Sequence, residues 1–113
     1  TTQVTEYMVA PSVGQEKGEA SYHEWFIEFS RPPADLNAFA SDLDNWMCQQ
    51  NSYYRDLIKG HVLVPLQITS LVPGAFKSYM RAAGKLGEQH KVIRVANNRV
   101  IADRLRTYQV AIS

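Results

Sequence analysis

YHEWFIEFSRPPADLNAFASDLDNWM, residues 22–47, changes its apolar rhythm halfway along. From Tyr22 to Phe29 the period is two. Trp25, Ile27 and Phe29 fall on one side and Glu24 and Glu28 on the other, which predicts a strand with one buried face and two solvent-facing glutamates. Arg31-Pro32-Pro33 ends it, because proline brings no N–H to a ladder. Asp35 then offers an N-cap carboxylate. Leu36, Phe39, Ala40, Leu43, Trp46 and Met47 recur at helical spacing, predicting an amphipathic helix that turns this whole stripe, Trp46 included, toward a core. A strand feeding directly into an amphipathic helix sets the class as a mixture of the two element types.

Working outward gives the remaining elements. QVTEYMVA, residues 3–10, reads as a strand ending at Pro11, and residues 11–21 as a Gly- and Ser-bearing loop between two antiparallel strands. A short second helix is expected after Asn51, running to Lys59 and stopping at Gly60. HVLVPLQITSLV, residues 61–72, reads as a strand interrupted by Pro65, hence an edge or a bulge. Pro73-Gly74 opens a third helix with Phe76, Tyr79, Met80 and Ala83 on one side, which Gly84 ends. Asn97 and Asn98 offer caps for a last helix carrying Val100, Ile101, Leu105 and Tyr108. The expected fold is α/β (α+β): a two-layer sandwich in which a small, mostly antiparallel or mixed sheet of three to four strands packs on amphipathic helices.

The 113 residues suit a single domain, 1–113. One cysteine, Cys48, excludes an internal disulfide and lies inside a helical pattern, which reads as an inert thiol in a reducing compartment. No apolar run approaches a membrane span and no signal-peptide pattern opens the chain; a cytoplasmic location is expected. The start at Thr1 rather than Met fits a fragment or a processed chain. The net charge of +1 conceals a division. Residues 73–113 hold eight Lys/Arg against two acids, whereas residues 1–72 hold four against nine. A positive field of that kind attracts carboxylates, phosphates or nucleic acid.

The centre of that field is GKLGEQHKVIRVANNR, residues 84–99. Gly84 and Gly87 bracket Lys85 and allow close backbone approach to a ligand. Lys85 on such a loop is a movable point charge on a flexible stem, suited to a developing anion. If residues 91–95 are extended, Lys91, Ile93 and Val95 share one face and Arg94 takes the other. Neither standard phosphate-binding loop is present. His23, His61 and His90 have no metal-ligand spacing, so no metal site is expected; His23 reads as a structural histidine. The basic residues are not interleaved with aromatics, so nucleic acid is not the expected partner. The residues by themselves specify no self-contained active site, and leave open a basic loop that only keeps the chain soluble and a stand-alone α/β module that binds an anionic metabolite or nucleic acid.

With HEWFIEF and NSYYRDL upstream, GKLGEQHKVIRVANNR resembles the C-terminal domain of the auxin-responsive acyl-acid amido synthetases, the Gretchen Hagen family, in its bacterial branch. The resemblance runs from about Thr5 to Leu105. It implies a ligase that adenylates a carboxylic acid with ATP and Mg2+, then passes the acyl group to an amino acid. It also implies an N-terminal adenylation domain in the same chain, with this domain as a mobile cap whose residues 1–11 lie beside the hinge. The cap alone is expected to hold no cofactor. By the same resemblance Lys91 is the catalytic cation, Lys85, Gln89, His90 and Arg94 contact the nucleotide or acyl-adenylate, and Glu6 and Tyr7 form the acidic-aromatic pair next to the hinge. The sequence departs from the bacterial Gly-Gly-Gln-His-Lys-Val-Pro-Arg pattern at Glu88 and Ile93.

Overall fold

Residues 1–14, 19–84 and 93–110 are described by a computed structural model. Strands β1 (Gln3–Ser12) and β2 (Tyr22–Arg31) pair antiparallel. Helices α1 (Leu36–Gln50) and α2 (Ser52–Lys59) lead back to β3 (Gln67–Leu71), which pairs parallel to β2. Helices α3 (Ala75–Ala82) and α4 (Val100–Leu105) and a 3-10 turn at Arg106–Tyr108 complete the described elements. The result is the expected α+β class: a mixed, open three-strand sheet in the order β1-β2-β3.

The punctuation acts where the sequence puts it. The Asp35 carboxylate accepts from the Ala38 amide, and the Asn51 side chain accepts from the Tyr54 amide, so each caps its helix. The Asn98 side chain accepts from the Val100 amide at the start of α4. Residues 61–72 are extended over Gln67–Leu71 alone; Pro65 has no N–H to place in a ladder, and pairing begins after it.

The helices cover the sheet on both faces. On the face of His23, Trp25, Ile27 and Phe29, the Phe29 and Phe39 rings meet edge-to-face at 5.6 Å, and His23 packs against Tyr54 at 5.3 Å. On the other face Met8, Ala10, Phe26 and Leu71 join Phe76, Tyr79, Met80, Ala102 and Leu105 in the main core. Burying a side chain such as Phe26 contributes roughly 1.5–3 kcal/mol.

Two expectations are corrected by this arrangement. Glu24 and Glu28 are buried, because their face is the main core face. Each carboxylate is satisfied by partners distant in sequence. Glu28 accepts from the amides of Gly74 and Phe76, both at 3.0 Å, and so caps α3 from across the sheet. Gly74 itself has φ +84°, a conformation that favours glycine. Trp46 is 54% exposed rather than in the core. On α1 the buried residue is Asp44, whose carboxylate accepts from the Tyr54 hydroxyl and from the Leu66 amide. Burial, together with that hydrogen bond, pushes the Tyr54 phenol well above its ordinary value.

Candidate functional site

A β-bulge between Val4 and Glu6 shifts the register of β1 and bends the strand where Glu6 and Tyr7 project. The Glu6 Oε1 accepts from the Tyr7 amide and from Arg94 Nε, each at 3.0 Å. The Arg94 guanidinium also lies over the Tyr7 ring, 5.4 Å from its centroid, and that ring stacks on Trp25 at 5.5 Å. The hydrogen bond and charge of Glu6 raise Arg94 further above its ordinary value, so it remains a cation. Nε is directed to Glu6, and among the described residues neither Nη group has a protein partner. The outer end of this guanidinium can therefore donate to an external anion.

The backbone follows the side chain. Arg94 O accepts from Val9 N at 2.7 Å, and Ala96 N donates to Val9 O at 2.8 Å. Residues 94–96 thus lie parallel to β1 through one bridge, Val9–Val95, along the free edge of the sheet. A cleft of about 340 Å3 opens beside this seam, lined by Pro11, His23, Val95 and Asn97. Burial lowers the pKa of His23, so its ring is neutral at pH 7.

Three of the residues expected to serve the site are brought together: Glu6, Tyr7 and Arg94, separated by 88 residues in sequence between Glu6 and Arg94. Lys85, Gln89, His90 and Lys91 lie outside the described residues, as does the Glu88 departure. Ile93, the other departure, is exposed at the start of the docked segment. Cys48 is half-buried, and burial and the nearby Asp44 raise its thiol, which fits an inert role.

Sequence reading missed a second charged cluster. The Glu24 carboxylate accepts from Arg99 Nη1 at 2.8 Å, from Arg106 Nη2 at 3.0 Å and from the Thr69 hydroxyl. Arg99 also donates to Pro11 O, pairs with Asp103 at 3.4 Å and lies over the Phe26 ring. The available signal was two arginines, seven residues apart in the basic segment, together with a glutamate inside the most apolar strand.

These features define a small α+β domain with a basic C-terminal segment stapled to its first two strands. Among its described residues no group of three or more His, Cys, Asp or Glu could hold a metal ion, and no helix is long and apolar enough to cross a membrane. A family model, the GH3 family C-terminal domain, matches residues 1–100, and the chain belongs to that family. No curated protein matches it. Among solved structures it is similar to a GH3.15 acyl acid amido synthetase, with a TM-score of 0.74 and 16% identity over 97% of this chain and 20% of that one. It is also similar to the AtGH3.15 acyl acid amido synthetase in complex with 2,4-DB, with a TM-score of 0.73 and 15% identity over 97% and 21%. At these identities the shared property is the fold. The chain spans about a fifth of the length of either structure.

Proposed function

We propose that this chain is the mobile C-terminal cap of an ATP-dependent acyl-acid amido synthetase of the bacterial type, working in the cytoplasm against an N-terminal adenylation domain. The observation that carries the reading is the match of residues 1–100 to the GH3 family C-terminal domain. The fold of the two synthetase structures supports it, as does the meeting of Arg94 with the hinge-side pair Glu6 and Tyr7.

In this reading a carboxylate oxygen of the acid attacks the α-phosphorus of ATP and pyrophosphate leaves. The amine of the amino acid then attacks the acyl carbon and AMP leaves. In this reading the larger domain carries most of the contacts to ATP and Mg2+. The part given to this chain is cationic. Lys91, assisted by Lys85, Gln89 and His90, faces the charge that develops on the acyl carboxylate and α-phosphate. Arg94, held by Glu6 and Tyr7, ties the end of that segment to β1 and leaves its Nη groups for the same anion. One pre-placed cation in a water-excluded site supplies roughly 3–4 kcal/mol of transition-state stabilisation. Rotation about the β1 end of the domain then withdraws the cation and admits the amine.

The test is pyrophosphate exchange dependent on the carboxylic acid, measured in the protein carrying both domains. Lys91→Ala is expected to slow exchange about a hundredfold with an unchanged circular dichroism spectrum. Exchange at the parental rate removes Lys91 from the mechanism.

A further inference from the structure

A second cleft, which shares no lining residue with the Glu6–Arg94 contact, lies between the end of α3 and the turn after α4. It has a volume of about 380 Å3 and is lined by Tyr79, Ala82, Ala83, Arg104, Thr107 and Tyr108, a size within the ordinary range for small-molecule sites. Arg104 is exposed, and among the described residues it forms no ion pair; its neighbour Asp103 is engaged by Arg99. Tyr79 is only 7% exposed. Its hydroxyl has no hydrogen-bond partner among the described residues and is not one of the sealed polar atoms, and Tyr79 lines the cleft. A buried phenol normally finds a partner. Thr107 donates its hydroxyl proton to Arg104 O at 2.7 Å, which fastens the turn carrying the guanidinium.

The walls differ in polarity. The turn after α4 contributes a guanidinium and the Tyr108 phenol. Helix α3 contributes the Tyr79 phenol and, one turn further on, Ala82 and Ala83 at its C-terminal end, where the helix presents carbonyl oxygens and partial negative charge. An inorganic anion would meet repulsion at that end. A molecule with one carboxylate and a flat apolar body fits both walls: the carboxylate against Arg104 and the tyrosine hydroxyls, the body over the alanines. A single guanidinium pairs bidentately with one carboxylate.

We infer that this cleft is a binding site for a small aromatic carboxylate, separate from the Glu6–Arg94 region and independent of the proposed synthetase reading. The probe is sodium benzoate, titrated into the 15N-labelled 113-residue chain, with benzamide and inorganic phosphate as comparisons. Benzoate is expected to shift the amides of Ala82, Ala83 and Thr107 saturably, in the millimolar range, with benzamide and phosphate each about tenfold weaker or more. Arg104→Ala, at an exposed position whose spectrum reports its own folding, should weaken benzoate about tenfold. Tyr79→Phe keeps the buried ring, removes only the hydroxyl, and should weaken it severalfold. Absence of saturable shifts overturns the inference. So does equal binding of benzamide or phosphate, or benzoate binding that survives Arg104→Ala.

Discussion

The two arginine–glutamate contacts that hold the C-terminal segment use the same chemistry in opposite surroundings. At Glu24 the carboxylate is 2% exposed and shared by Arg99 and Arg106. At Glu6 it pairs with an Arg94 side chain that is 60% exposed. Water screens the second contact more than the first, where the carboxylate is sealed although the Arg106 side chain is 48% exposed. The buried cluster is therefore a structural joint, because losing the arginines would leave a buried carboxylate without ionic partners. The exposed contact can break and re-form at little cost, as suits a segment that must meet a second surface.

The largest expected effect comes from breaking the joint. Glu24→Gln leaves Arg99 and Arg106 without their anion and should lower unfolding stability by about 3 kcal/mol, read as a shift of the urea midpoint. A midpoint within error of the parent would show that the cluster is as weakly coupled as the exposed contact. Next, Glu28→Ala strips the cap from the Gly74 and Phe76 amides and should cost about 2 kcal/mol. This variant tests whether a carboxylate without an ionic partner holds as firmly as one with two.

Smaller still is the effect of pH through His23. Burial lowers its folded pKa below the ordinary 6.5, so the unfolded chain takes up the proton first. Stability is complete above pH 6.5 and falls as the pH drops through the folded pKa. Thermal unfolding between pH 7 and 5 should show this fall, and His23→Gln should flatten it; an identical slope in both proteins removes the histidine from the account. Smallest of all, Arg94→Ala should leave the urea midpoint unchanged, and raising the salt concentration should not distinguish it from the parent. A clear loss of stability would place Arg94 with the structural arginines.

The contrast also explains what could be read from the sequence. The β2 strand, the Asp35 cap, the start of a helix after Asn51 and the element order were legible because they depend on near neighbours. The direction of Glu24 and Glu28 was not. Period two gives two faces but does not say that both are covered, and the partners that make burial tolerable lie at Thr69, Gly74, Phe76, Arg99 and Arg106. Trp46 misled for a related reason. Its helical spacing is right, yet α1 packs through Phe39 while its buried residue is the polar Asp44. At the candidate site, family resemblance singled out Glu6, Tyr7 and Arg94; the structure brings them into contact, and that contact spans the chain, so no local pattern encodes it. The Tyr79–Arg104 cleft belongs to no motif and arises from the packing of α3 against α4.

The joint between Glu24 and Arg106 also has a consequence for synthesis. Met8 and Ala10 share their core with Ala102 and Leu105, and the carbonyl of Pro11 accepts from a residue 88 positions later. A nascent chain that has left the ribosome only as far as β3 has the sheet but no cover for one of its faces. Such an intermediate exposes apolar surface until the last helix emerges, so premature termination near residue 98 should yield a chaperone client rather than a smaller domain.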